Sequence, residues 1–144
     1  FAKRYPEARI TVKPHPADQL EQVKQHLTPF LVECPQIHLL GRNEAIPFNR
    51  HQLVAVNNSG AGMEACIWER PLVVYSTVWE TVQVKQYMDS GVAVFADSAA
   101  AFEESVEKIL SNYAAYQEKC RAFVQEQLAF HGKAAEKIAD LLTC

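Results

Sequence analysis

Five short runs of apolar and β-branched residues alternate with helical segments along this chain of 144 residues, and this order limits the folds open to it. The runs are residues 9–13, 36–40, 53–57, 71–75 and 92–95. Strands that alternate with helices need right-handed crossover connections, which place the strands in a parallel sheet. The pattern therefore predicts a Rossmann-like α/β fold, with a parallel sheet covered by helices on both faces and a helical C-terminal tail.

The helical segments are predicted over residues 17–34, 63–69 and 81–89. Pro29 is expected to break or kink the first of them, since proline cannot donate a helix hydrogen bond. The tail is predicted to form two helices that meet near Asn112. The polar stretch 42–51 is expected to be a loop with at most one helical turn. A chain of this length fits a single domain, 1–144, and its start at Phe1 suggests a piece of a longer polypeptide.

Composition excludes several classes of protein. Lys plus Arg is 14 and Asp plus Glu is 17, so the formal charge is 14 − 17 = −3. The sequence has no cluster of lysines and arginines, so a nucleic-acid partner is not expected. No apolar run reaches the ~18 residues of a membrane span. The four cysteines are too widely spaced for a zinc site, and they are expected to be reduced, buried thiols of a cytosolic protein.

Ligands of open parallel sheets bind beyond the carboxyl ends of the strands. This rule selects residues 14–16, 41–48 and 57–64. In the third segment, V-N-N-S-G-A-G-M-E-A, a strand passes through a tight turn into a helix whose first N–H groups favour an anion. Ser59 could cap that helix or donate to a phosphate, and Gly60 and Gly62 would allow close approach. Glu64 could accept hydrogen bonds from ribose hydroxyls.

Two other interpretations of this turn remain open. A capped helix with a glycine turn occurs in every α/β domain, and Glu64 could be a first-turn acid favoured by the helix dipole. The letters G-x-G-x-x-A also match the dinucleotide fingerprint, with Glu80 near the place of the ribose-binding acid, but two strands precede the motif here.

The stretch K-P-H-P holds His15 between two prolines at the end of the first strand. An imidazole at this position can donate to a leaving phosphate, and Lys13 would add positive potential. The alternative is a solvent-exposed histidine without function. The sequence contains neither a metal-binding H-E-x-x-H nor a nucleotide-binding G-x-x-x-x-G-K-[ST] motif. We therefore expect no metal and no cofactor.

Taken in order, I-T-V-K-P-H-P, V-N-N-S-G-A-G-M-E-A and R-P-L-V-V-Y resemble the C-terminal, nucleotide-binding half of GT-B glycosyltransferases. Within that group the chain is most similar to the bacterial capsule and lipopolysaccharide enzymes that transfer Kdo from CMP-Kdo. The resemblance extends to a later segment with Tyr87 and Gly91. The family's A-x-x-x-G-K-P stretch corresponds to residues 65–71, where Glu69 replaces the glycine.

The resemblance implies that His15 contacts the phosphate and aids the departure of CMP, while Ser59 and Gly60 bind phosphate and Glu64 binds the nucleotide. The nucleotide-binding set that it implies is Lys13, His15, Pro16, Asn58, Ser59, Gly60 and Glu64. It also implies metal independence, a glycan or glycolipid acceptor bound by a domain outside this chain, and a cytoplasmic protein. Peripheral association of the full protein with the inner face of the inner membrane is compatible with it.

Other classes of protein share this half-fold and remain alternatives to a Kdo transferase. One is a CDP-glycerol-type polyol-phosphate transferase, and another is a domain like that of a UDP-sugar epimerase. A non-enzymatic rival is an interaction domain that has kept the fold and lost the ligand.

Overall fold

A computed structural model describes residues 1–76, 82–128 and 132–142. The strands are β1 (Ile10–Val12), β2 (Ile37–Leu39), β3 (Val54–Val56), β4 (Leu72–Tyr75) and β5 (Ala93–Ala96). The helices are α1 (Leu20–Glu33), α2 (Ala61–Ile67), α3 (Val82–Asp89), α4 (Ala99–Ser111), α5 (Tyr113–Gln127) and α6 (Ala134–Leu142). The α/β fold class, with parallel strands, flanking helices and a helical tail, is confirmed.

The strands divide into two parallel sheets, β1-β2 and β3-β4-β5. The chain correspondingly forms two compact units, Phe1–His51 and Gln52–Cys144. The expectation of one domain over residues 1–144 stays a prediction.

In the first unit, β1 and β2 pair in the register Thr11↔His38, and α1 packs against β2. The helix begins at Leu20, three residues later than predicted, because His15 and Asp18 form a hydrogen-bonded turn before it. It continues through Pro29 to Glu33, so a break at the proline is excluded and the alternative, a kink, stays a prediction. The loop before β3 contains one 3₁₀ turn, Phe48–Arg50, as the sequence predicts.

In the second unit, β4 lies between β3 and β5 and is the most deeply buried strand. Val73 belongs to a core cluster with Val106 and Ile109 of α4 and Tyr116 of α5. Its neighbours Leu72 and Val74 point to the opposite face and are also fully buried. Both faces of β4 are therefore covered, as the uninterrupted apolar sequence P-L-V-V-Y indicates.

The helical tail contains one helix more than predicted. Helices α4 and α5 meet at Asn112 as expected, and α6 follows after residues 129–131, which lie outside the described part of the chain. Among the described cysteines, Cys34, Cys66 and Cys120 are buried and form no disulfide, which agrees with the sequence prediction, while Cys144 lies outside the described residues.

Helix α2 ends in a Schellman motif, whose left-handed residue is Glu69 with φ 56°. Glu69 N–H donates to the Cys66 carbonyl and Arg70 N–H to the Ala65 carbonyl, at 2.9 Å each. Glycine is the residue that adopts this conformation without strain. The glycine that the resembled family has at this position would therefore end the helix without backbone strain. In this chain the Glu69 carboxylate accepts a hydrogen bond from Arg121 Nε on α5, at 2.9 Å.

Candidate functional site

His15 lies beyond the carboxyl end of β1, in a turn that fixes its imidazole. Ala17 N–H donates to His15 Nδ1 at 3.1 Å, and His15 N–H donates to the Asp18 carboxylate at 2.9 Å. A ring nitrogen that accepts a hydrogen bond carries no proton, so the proton of the neutral imidazole is on Nε2. The side chain is exposed. His15 therefore offers Nε2–H as a hydrogen-bond donor.

Lys13, directly after β1, has a different environment from the one that its predicted role suggests. Its Nζ donates to the carbonyls of Gly41 at 2.7 Å, Arg42 at 2.8 Å and Glu44 at 2.8 Å. An ammonium has three donors, and all three are used here. Lys13 therefore ties the loop after β2 to the end of β1. Its predicted contact with a phosphate stays a prediction.

Arg42 is a cation at the same sheet edge, and it belongs to none of the motifs recognised in the sequence. It follows β2 on an exposed loop, and its Nη2 donates to the Asp18 carbonyl at 3.3 Å, which links it to the turn of His15. The strand-end rule includes its segment, residues 41–48, but no motif marks it within that segment. The hydrogen bond to Asp18 is a non-local contact, which only the fold reveals.

The glycine-rich turn of the second unit joins β3 to α2. Gly60 is the N-cap of α2, one residue after the predicted Ser59, and Ser59 Oγ accepts a hydrogen bond from Ala61 N–H at 3.2 Å. The backbone N–H groups of Asn58, Ser59 and Gly60 have no acceptor among the residues that the structure describes. Consecutive unpaired N–H groups in a turn attract anions. The Ser59 hydroxyl hydrogen can be donated in addition.

The two glycines of this turn differ in their surroundings. A Cβ on Gly60 would have no atom of the described residues within 4 Å, so this part of the chain leaves the position open. A Cβ on Gly62 would lie 2.7 Å from Tyr87 Cζ, and Gly62 is buried. Gly62 therefore has a packing role against Tyr87, and the close approach of an anion expected at this glycine stays a prediction. The Tyr87 hydroxyl donates to the Ser59 carbonyl at 3.1 Å and braces the turn.

The remaining predicted residues are exposed. Pro16 belongs to the turn of His15, while Asn58 and Glu64 belong to the glycine-rich turn and the first turn of α2. Glu80 lies outside the described residues. The structure thus groups Lys13, His15 and Pro16 in the first unit. It groups Asn58, Ser59, Gly60 and Glu64 in the second.

The described part of the chain contains no group of three or more His, Cys, Asp or Glu side chains arranged to hold a metal ion. Over the same residues, no helix has the length and apolar character of a membrane span.

In a comparison with protein families, the model of a family described as "Capsule polysaccharide biosynthesis protein" matches residues 1–83. This segment includes the two strand-end loops that carry the predicted site, residues 14–16 and 57–64, and it is more than half of the 144 residues. Searches of the curated proteins and of the solved structures found no match.

Proposed function

The chain belongs to the capsule polysaccharide biosynthesis family, and from this membership we propose that it is the donor-binding part of a glycosyltransferase. The donor is a CMP-sugar, CMP-Kdo, and the acceptor is a glycan or glycolipid bound by a domain outside this chain. The full protein works in the cytoplasm and associates peripherally with the inner face of the inner membrane. The resemblance of the two strand-end loops to Kdo transferases supports the finer part of this proposal.

The single observation that carries the proposal is the run of three N–H groups at residues 58–60 that have no acceptor in the described parts of the chain, beside the Ser59 hydroxyl. Backbone N–H groups that are already in place bind phosphate without a reorganisation of the protein. Gly60 leaves room for a phosphate to approach the main chain, since no described residue lies within 4 Å of its Cβ position. Glu64, one turn further along, accepts hydrogen bonds from ribose hydroxyls.

His15 acts on the leaving group in this proposal. As the sugar departs, negative charge develops on the phosphate of CMP, and a donor aimed at that charge lowers the barrier. Nε2–H is the available donor because Nδ1 already accepts from Ala17. The turn around Asp18 holds the ring in place before the nucleotide arrives, so little side-chain entropy is lost on binding.

Isothermal titration of the chain with CMP, CDP and UDP tests the donor site. We expect CMP to bind most tightly and Ser59→Ala to weaken it about tenfold, the effect of losing one hydrogen bond to a charged group. Ser98→Ala is the matched control, because Ser98 Oγ caps α4 by accepting from Ala101 N–H and lies outside the proposed site. A CDP or UDP preference would favour the polyol-phosphate or epimerase-like rivals. Absence of binding by all three nucleotides would favour an interaction domain.

The role of His15 is tested by sugar transfer in the full-length protein. His15→Ala is expected to lower kcat by ~10²-fold, in line with the contribution of a positioned acid. His26→Ala is the control, since His26 is exposed on α1 and bonds only within its own helix, to the Gln22 carbonyl. Equal turnover of the two variants contradicts the assignment.

A further inference from the structure

A cleft of about 580 Å³ opens on one face of the β1-β2 sheet, within the first unit. Strand alternation explains its lining: Arg9 and Thr11 point to one face of β1, and Gln36 and His38 point to the same face of β2. No residue of α1 lines the cleft. This polar face of the sheet is therefore distinct from the face that α1 covers.

The cleft contains two arginines that contact no polar or charged partner among the residues described. The structure describes all six arginines of the chain, and four of them contact other groups: Arg4, Arg42, Arg70 and Arg121. The guanidinium groups of Arg9 and Arg50 have no hydrogen bond or ion pair with any described residue, and both line the cleft. Two unpaired guanidinium groups at one cavity provide a site for an anion.

The rest of the lining fits a sugar. Glu7, Gln36 and His38 are planar polar side chains that exchange hydrogen bonds with hydroxyl groups, and Leu40 and Pro47 add apolar surface for sugar C–H groups. The volume lies within the ~300–1,000 Å³ that is usual for small-molecule sites. Glu7 also disfavours a ligand that is only a dense negative charge, because its carboxylate repels such an ion.

We propose that this cleft binds an anionic sugar, with its carboxylate or phosphate held by Arg9 and Arg50 and its hydroxyls by Glu7, Gln36 and His38. The site is independent of the proposed nucleotide site, because none of the seven residues of that site lines the cleft. A failure of CMP to bind would therefore leave this proposal unaffected, and a failure of anionic sugars to bind would leave the proposed nucleotide site unaffected. Carboxylated glycan units and free sugar phosphates share the required chemistry.

Titration of the ¹⁵N-labelled chain with sugars, followed by NMR, tests this site. The probes are glucuronic acid, glucose 1-phosphate, glucose and inorganic phosphate. We expect shift changes at Arg9, Thr11 and His38 with the two anionic sugars and none with glucose. Glucuronic acid binding more tightly than glucose 1-phosphate would point to a glycan unit, and the reverse order to a free sugar phosphate.

Variants complete the test. Arg9→Gln and Arg50→Gln are each expected to weaken binding of the better sugar about tenfold, because each removes a charge-assisted contact. Lys24→Gln makes the same charge change on α1, away from the cleft, and should leave binding unchanged. Circular dichroism checks the fold, and Arg9→Lys and Arg50→Lys, which keep the charge and lose the fork, should bind with intermediate affinity.

Three results would overturn the proposal. The first is the absence of any shift change at the cleft with either anionic sugar. The second is an equal response to glucose, which would remove the role of the arginines. The third is inorganic phosphate binding as tightly as glucose 1-phosphate, which would leave an anion site without sugar recognition.

Discussion

Gly62 lies against the phenol ring of Tyr87 so closely that a Cβ on residue 62 would be 2.7 Å from Tyr87 Cζ. The hydroxyl of the same ring donates to the Ser59 carbonyl at 3.1 Å. The tyrosine on α3 thus needs the glycine on α2 in order to reach the turn that precedes that helix. This contact separates the structural role of Gly62 from the ligand-binding role proposed for Gly60.

Gly62→Ala is expected to lower the free energy of unfolding by about 1–3 kcal/mol, because the added methyl group overpacks the contact with Tyr87. Gly60→Ala is the matched control. Gly60 has a helical φ of −61° and open space around it, so alanine there should raise stability by about 0.4–1 kcal/mol. Urea denaturation of both variants measures the difference. Equal effects at the two positions would contradict the assignment of separate roles.

Glu69→Gly is expected to give a more stable protein than Glu69→Ala by about 1 kcal/mol, because only glycine adopts the left-handed conformation without strain. Both substitutions remove the contact with Arg121, so their comparison isolates the backbone effect. Thermal unfolding of the two variants provides the measurement. An alanine variant as stable as the glycine variant would show that the backbone at residue 69 is not strained.

Lys13→Met keeps most of the side-chain length and removes the ammonium that binds three carbonyls of the loop 41–44. We expect a loss of about 1–2 kcal/mol in stability, since hydrogen bonds to a charged group are lost at a half-buried position. Hydrogen exchange should accelerate in that loop and remain unchanged in α4. Lys24→Met, at an exposed surface pair, serves as the control and should change neither quantity.

The chain is expected to lose stability at alkaline pH. The hydrogen bond to Cys120 and burial raise the pKa of the Cys66 thiol, while the same hydrogen bond lowers the pKa of Cys120, and burial raises the pKa of Tyr87. The folded protein therefore keeps protons that the unfolded chain releases above about pH 8.5 for cysteine and about pH 10 for tyrosine. The free energy of unfolding should fall as the pH rises through these values.

Urea denaturation between about pH 7 and pH 11 measures this slope. In Tyr87→Phe the phenol no longer titrates, so the decline above about pH 10 should become shallower even where the variant is less stable overall. A stability that is constant or rises over this range would contradict the argument.

Local patterns were sufficient to predict most secondary structure. The apolar run of β4 and the junction at Asn112 lie where the sequence predicts them, because neighbouring residues determine them. The start of α1 was misplaced, since it depends on the side-chain bond between His15 and Asp18. The sequence left a break or a kink at Pro29 open, and α1 is continuous there because the rest of the helix outweighs one missing donor.

The candidate site was predictable only in part. The strand-end rule and the glycine-rich motif identify both loops, since each depends on a contiguous stretch of sequence. The bonds of Lys13 span 28 to 31 residues, and the contact of Tyr87 with Ser59 spans 28. The cleft with Arg9 and Arg50 also arises from residues that are distant in sequence. Such contacts depend on tertiary structure, which no local pattern specifies.

The clamp formed by Lys13 contacts only main-chain oxygens, so it does not depend on which side chains the clamped loop carries. Substitutions at positions 42 to 44 should therefore leave the path of the loop unchanged, because the lysine of the neighbouring strand end holds its main chain. A graft of this loop onto another chain of the family should include the lysine.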